Sequence, residues 1–417
     1  MLLKTILNRV EKHPLFVYKN DRLVEDDKGL SIEVTVEPRA NSRPICSGCG
    51  QRRAGYDRLP ERRFSFVPLW GIAVFFLYRM RRVNCPSCGV VVESVPWADG
   101  KHRLTTSYIW FLARWAKKLS WSDVAETFHS SWSTVFRSVQ AAVQWGREHV
   151  VLDNITAIGI DEIAWKKHHK GYLTMVYQID EGMRRLLWVA QHRKAATLSK
   201  FFRWFGKERT RNLRFICSDM WQPYLKVIGS KAKSAVHILD RFHIMSNMNK
   251  ALDEIRRKEV RQMFEDGYEP VLTKSRWCIL KRPENLTEEQ DCKLAELLRY
   301  NLKTVRGYLL KEQFQLFWNY VSPTWAGKFL DRWCNRAMRS RIAPMKKVAR
   351  SLREHRELIL NWFRAKGAVS TGAVEGLNTK AKLTTRKAFG YSSYEMIEIA
   401  LYHTLGDLPE PEFTHRF

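Results

Sequence analysis

The chain has no apolar run long enough to cross a bilayer. Its most apolar window, Phe64 to Tyr78, is interrupted by Pro68 and Gly71 and falls short of the roughly 20 residues a spanning helix needs. The opening MLLKTILNRVEKH lacks the apolar core and small-residue cleavage site of a secretory signal. A soluble protein of the cytoplasm, with no membrane partner, is the expectation. Internal repeats and low-complexity segments are absent too. Acidic residues are scarce: 43 Asp+Glu stand against 71 Lys+Arg, a formal charge of +28. That excess calls for a polyanionic partner, most commonly nucleic acid; solvated charge or attraction to a membrane surface is the plainer alternative. Cysteine is sparse at eight, and in a reducing compartment paired cysteines suggest a metal rather than disulfides.

Four of those cysteines form two C-x-x-C-G knuckles, Cys46/Cys49 with Gly50 and Cys85/Cys88 with Gly89, separated by 35 residues. A glycine after each pair can take positive φ and turn backbone N–H groups toward the sulfurs. Four thiolates suit one tetrahedral, structural Zn²⁺. The segment between would form the hairpin of a zinc ribbon, with a redox dithiol as the competing reading. From 41 to 104 there are eleven Lys+Arg and four acids. Arg52, Arg53, Arg81 and Arg82 are candidate phosphate contacts there.

Periodicity gives a multidomain α/β chain. Residues 1–100 read as small β structure, with strands at Ser31–Glu37 and Ile72–Val83. Residues 101–150 read as three helices, and 151–260 as strands alternating with helices. Residues 261–367 are helical throughout; 368–417 are a last helical stretch, with Pro409 and Pro411 marking a frayed tail. Within 101–150, a helix over about Leu119–Phe128, capped by Ser120 or Ser122, precedes one restarting at Ser131. Val124, Ala125, Phe128, Val135 and Val139 have the spacing of one small core. This is a helix-turn-helix pattern that would present Ser133, Thr134 and Arg137 to a major groove. Its turn lacks the usual glycine, and a helical hairpin packed in a larger core is the alternative.

Three carboxylates stand in settings that belong together. Asp161 (GIDE) and Asp219 (CSDMW) end strand-like runs, and Glu375 (AVEGLN) lies on a basic helix. If the first and fourth strands of a β-β-β-α-β unit pair, the two aspartates fall side by side. Glu375, on a late helix crossing the sheet, completes an RNase H-like two-metal site for Mg²⁺ or Mn²⁺. Asn378 and Lys382 share the helical face of Glu375, and Arg386 and Lys387 follow. These four are candidate DNA contacts. Asp240 and His243 are either secondary groups of the site or, for Asp240, a helix cap. Glu162 should point away from Asp161, since neighbours on a strand face opposite sides. Trp221 would stack on an unpaired base or pack in the core. The nine Lys+Arg and single acid of 332–356 make either a DNA contact or a solvated face.

GIDE, SDMWQPY, HILDRFHI and VEGLN…K…R-K-A-F-G-Y resemble signatures of bacterial insertion-sequence transposases of the ISL-three family, over nearly the whole chain. The resemblance implies Asp161, Asp219 and Glu375 as a catalytic DDE triad. The 155 residues between the last two imply an all-α insertion in the RNase H-like core. It further implies binding of terminal inverted repeats, cleavage at element ends and strand transfer into target DNA, by a homodimer or larger assembly on paired ends. A non-enzymatic DNA-binding regulator of the same descent is the alternative. An RNase H-like nuclease acting on RNA or branched DNA is a third reading, which the helix-turn-helix argues against because A-form RNA offers a helix no readable major groove.

Overall fold

A computed structural model describes residues 3–27, 29–100, 102–165, 171–365, 371–388 and 390–412. The chain divides into two compact units, residues 1–151 with 384–417, and residues 152–383.

The first unit opens with helix α1 (Leu3–Val10) and strands β1 (Phe16–Asp26), β2 (Gly29–Pro38), β3 (Ile45–Cys46), β4 (Ala54–Leu69), β5 (Ile72–Cys85) and β6 (Gly89–Ser94). They form one sheet of order β1-β2-β5-β6-β3, with β4 paired to β5. β4 and β5 are the antiparallel hairpin expected between the knuckles. They are far longer than in a minimal ribbon, which accounts for the wide cysteine spacing. Phe16, Phe64, Phe76, Tyr78 and Trp97 fill the core on one face, each large buried side chain contributing about 1.5–3 kcal/mol.

Three helices follow: α2 (Thr106–Lys118), α3 (Trp121–Thr127) and α4 (Trp132–His149). Ser120, not Ser122, caps α3, in a capping box with Asp123. Ser131 caps α4. Val124, Ala125, Val135 and Val139 are buried, as expected. The glycine-free turn is made by His129, which takes the left-handed region at φ 47 at a cost of about 1–2 kcal/mol. The last helix of the chain, α16 (Tyr394–Leu405), packs on α4 through Gln140–Glu395 (2.9 Å) and Arg147–Glu398 (3.5 Å). The tail was expected to fray at the prolines. Instead Glu410 binds Arg114 at 2.8 Å and Lys117 at 2.9 Å.

The second unit holds β7 (Ala157–Ala164), β8 (Tyr172–Asp180), β9 (Met183–Gln191), α5 (Ala195–Phe205), α6 (Lys207–Asn212), β10 (Phe215–Ser218), α7 (Gln222–Lys231) and β11 (Val236–Leu239). The sheet order is β11-β10-β7-β8-β9. β7 pairs antiparallel with β8, and β10 pairs parallel with both β7 and β11. β7 is buried along nearly its whole length, which explains a continuous apolar run rather than an alternating one. Then come α8 (Arg241–Glu265), α9 (Arg276–Leu280), α10 (Glu288–Leu297), α11 (Lys303–Gln315), α12 (Pro323–Arg339), α13 (Ala343–Glu354) and α14 (Arg356–Arg364). Among the described residues this stretch contains no strand. Its core includes Phe314, Phe317, Leu330 and Trp333. α15 (Thr371–Lys387) carries the boundary between the units. Among the described residues no helix is long and apolar enough to cross a membrane.

Candidate active site and metal centre

The four knuckle cysteines converge. Their sulfurs all lie within 4.8 Å of one another, the only such group of three or more metal-ligating side chains among the described residues. Gly50 and Gly89 take φ 71 and 73, the left-handed turns the motif required. Gly48 is needed for another reason, since a Cβ there would come within 2.9 Å of Cys88 Sγ. The Ser87 hydroxyl, bonding Cys85, pulls that thiol down to about 5. A tetrahedral thiolate site for one closed-shell metal is what this geometry can hold.

Of the arginines assigned to DNA around these cysteines, two serve the protein itself. Arg81 is buried and forms a 2.7 Å ion pair with Glu93, whose side chain has no solvent exposure. It also donates to Ser42 O at 2.9 Å, so a buried carboxylate rather than a phosphate takes its charge. Arg53 lies against Cys85 and Cys49, whose sulfurs raise its pKa by hydrogen bonding. Arg82 is half-exposed and paired with Asp57, and Arg52 is exposed. On α4, Ser133 and Arg137 are exposed and Thr134 is half-buried. The Ser133 and Thr134 hydroxyls engage Ser131 Oγ at 2.9 and 2.8 Å.

The carboxylates gather at the sheet. The parallel register pairs Cys217 with Gly159, so two residues further along, Asp219 and Asp161 lie on adjacent chains. Asp161 sits inside β7, paired with Met175, rather than at its end. α15 lies close over β7 because position 159 has no side chain: a Cβ at Gly159 would overlap Val374. Glu375, next to Val374, is exposed on that helix, and its charge reaches Asp240.

Asp161, Asp219 and Asp240 each have a holder. Asn378, expected to contact DNA, is instead buried; its amide donates to Asp161 Oδ2 and its carbonyl accepts from Tyr177 Oη at 2.7 Å. Of the three residues that helical spacing puts on one face, Glu375 and Lys382 are exposed and Asn378 alone turns inward. Trp221 N–H donates to Asp219 Oδ1 at 3.0 Å. The Trp221 ring packs edge-on against Tyr224 and under the Arg193 guanidinium, 4.5 Å from the ring centre. Asp240 caps α8 by accepting from Phe242 N at 2.8 Å. His243 stands 3.5 Å from Asp161 Oδ2 and 3.9 Å from Asp240 Oδ2.

Two contributors were missed or misread. Arg193 follows β9 directly after His192, which turns the chain at φ 74. Its guanidinium bridges Glu162 at 2.5 Å and Asp219 at 2.8 Å. Glu162 therefore belongs to the acidic group, although strand alternation alone predicts that it points away. No local motif marks Arg193.

Crowding of buried acids sets the electrostatics. Burial, then the charge of Asp219, pushes Glu162 up to about 8, against the pull of Arg193. Burial raises Asp219 as well, and raises Asp240 to about 6 with Asp161 and Glu375 adding to it. For His243 burial pulls downward, but the hydrogen bond and charge of Asp161, with Asp240 and Asp219, lift it to about 9. Asp161, Asp219 and Glu375 do not themselves close into a ligating set among the described residues; Arg193 and His243 offset part of their charge. Lys382, Arg386 and Lys387 are exposed along α15.

Two aspartates thus lie side by side on adjacent strands of a mixed sheet, beneath a helix bearing a glutamate. Comparison with known families gives the particular case. The model of the ISL3 family, described as "Transposase", matches residues 158–401, and the chain belongs to this transposase family. A Mycobacterium tuberculosis protein, "Transposase for insertion sequence element IS1557", is 32% identical over 92% of this chain and 91% of its own length. A Bordetella parapertussis protein, "Transposase for insertion sequence element IS1001", is 26% identical over 89% and 90%. The "Drosophila P element transposase strand transfer complex" aligns at a TM-score of 0.41 with 9% identity, over 73% of this chain and 92% of that one, a likeness too weak to bear on the site.

Proposed function

We propose that the protein binds the terminal inverted repeats of its own insertion sequence, cuts DNA at the element ends and joins them to target DNA, with Asp161, Asp219 and Glu375 as the catalytic acids of an RNase H-like core. The observation that carries this reading is the β7–β10 register, which sets Asp219 beside Asp161, together with the close seat of α15 at Gly159. The donor set fits divalent cations of the Mg²⁺ or Mn²⁺ kind: carboxylate oxygens, mostly buried, in excess over the two cationic side chains that hold them. A pair of such ions bound there supplies activation of the attacking hydroxyl or water and stabilisation of the departing 3′-oxygen.

The chain's own residues prepare that chemistry. Tyr177 fixes the Asn378 amide, and Asn378 fixes one Asp161 oxygen, leaving the carboxylate a single orientation. Trp221 N–H and Arg193 orient Asp219. Arg193, paired with Asp219 and Glu162, would place a guanidinium at the site that could also meet a phosphate. Lys382, Arg386 and Lys387 present cations along the same helix as Glu375. In the first unit, α4 would enter a major groove with Ser133 and Arg137 outward. One structural Zn²⁺ on the four cysteines would brace the long hairpin. Joining two ends calls for at least a homodimer.

The test is cleavage of a plasmid carrying the gene with its flanks, in Mg²⁺ or Mn²⁺, by wild type and Asp161→Ala. Nicks at defined flank positions, absent with the variant, are expected. Sequence-specific binding without metal-dependent cleavage by either protein would establish the regulator reading instead.

A further inference from the structure

The helical stretch carries a cationic groove that the catalytic reading does not use. It runs between α11 and α12 and is lined by Arg306, Leu309 and Gln313 from the first and by Arg332, Arg336 and Arg339 from the second. On α12 the arginines stand at i, i+4 and i+7, one face of the helix. Seven residues span about 10 Å, close to three steps of rise along one DNA strand. Leu310, Phe314, Trp333 and Ala337 of the same helices are buried in the core, Leu310 also lining the groove, while none of the arginines belongs to that core.

None of the four arginines forms an ion pair among the described residues. Arg336 Nη1 donates to Gln313 Oε1 at 2.9 Å, and Arg332 Nε to Lys328 O at 3.3 Å. These neutral acceptors orient the guanidinium groups and leave their charge unspent. No carboxylate lines the groove. The nearby acids are committed elsewhere, Glu312 to Lys311 and Asp331 to Arg356. Four like charges lining one groove repel one another, and a row of phosphates offsets that repulsion. Arginine forks match phosphate oxygens in pairs, and Leu309, 53% exposed, offers an apolar rest for a sugar.

We infer that this groove binds the phosphodiester backbone of DNA without reading sequence, giving the second unit its own grip on substrate. The inference rests on the DNA-transposase reading but makes a separate prediction. Salt dependence of duplex binding is measured for the full-length protein, the triple variant R306Q/R336Q/R339Q and its Lys counterpart. Each lost phosphate contact lowers the slope of log K against log [salt] by about 0.9. The Gln variant should therefore lose about two to three units of slope, equally on element-end and unrelated duplexes. The Lys variant should keep most of it. A Gln variant with unchanged slope and affinity, while wild type still binds and cuts, overturns the groove assignment alone, and would leave an acidic protein as the alternative occupant. A wild type that binds no duplex overturns both readings. Arg137→Gln on α4 serves as the contrast: it should reduce discrimination between the two duplexes.

Discussion

Replacing Asn378 with Ala separates two roles for the same residue. If Asn378 is the phosphate contact suggested by its place beside Glu375, the change weakens DNA binding and leaves the fold alone. The structure argues otherwise. The substitution strips the buried Tyr177 hydroxyl of its acceptor and Asp161 of a donor. A buried polar group left unpaired costs about 1–3 kcal/mol, so two such groups cost about 2–5 kcal/mol. The Asp161 end falls toward the low side, because that carboxylate retains His243 at 3.5 Å. For a unit of this size each kcal/mol lowers the melting temperature by about 2–4 °C, so a drop of about 4–20 °C is expected. Cleavage should fall by two or more orders of magnitude, because a carboxylate free to rotate no longer presents a fixed oxygen. Affinity for element-end DNA should change little. The assays are thermal unfolding without divalent ions, filter binding, and cleavage at saturating protein. Tyr177→Phe should reproduce part of the loss, since it releases the amide that Tyr177 fixes. Weaker binding with an unchanged melting temperature and unchanged cleavage per bound complex would refute the positioning role.

Other perturbations address the rest of the molecule. Arg193→Gln should destabilise the metal-free protein by about 1–3 kcal/mol, allowing for its partial exposure. Mn²⁺ should then raise the variant's melting temperature more than that of wild type; equal shifts would show that Arg193 does not compete for Asp219. Gly48→Ala and Cys88→Ser should each abolish stoichiometric zinc, measured by elemental analysis, and zinc retained by Cys88→Ser would remove that residue from the site. Burial lowers His237 to about 4 and His403 to about 3, below the usual 6.5. The unfolded chain therefore takes up those protons first, and the stability they contribute is full above pH 6.5 and is lost as pH falls toward 4. At about 1.4 kcal/mol per unit the loss is a few kcal/mol for each histidine. His237→Gln should flatten the melting temperature between pH 6.5 and 4, and an unchanged slope would count against this linkage.

The sheet of the second unit was legible because its central strands are buried on both sides and read as apolar runs ending at Asp161 and Asp219. The two aspartates were expected side by side on the condition that the first and fourth strands pair, and β7 and β10 do pair, in parallel. β4 was expected only as the other arm of the hairpin, without bounds, because its first half is exposed on nearly every residue and shows no alternation. Its pairing with β5 comes from the hairpin, not from a buried face. Arg81 looked like a surface cation because Glu93, its partner, lies on another strand. Arg193 belongs to no motif; only folding brings β9's end toward Asp219. Asn378 shows the limit of helical spacing, which says which residues share a face but not what that face meets. Gly159 in GIDE could be read as a turn signal, whereas its role is to admit the Val374 side chain of a helix more than two hundred residues later.

The first unit is built from both ends of the numbering, and this has a consequence for synthesis. α4 waits for Glu395 and Glu398, and α2 for Glu410. More than two hundred residues must leave the ribosome between His149 and these partners. At about 5–20 residues per second that is a delay of roughly ten to fifty seconds. During it the α2–α4 helices stand without their closing helix. A chain whose translation stops early keeps the sheet, the cysteines and both aspartates, yet never completes the unit that holds α4. A fully assembled α4 unit is therefore available only in chains that have already made α15 with Glu375.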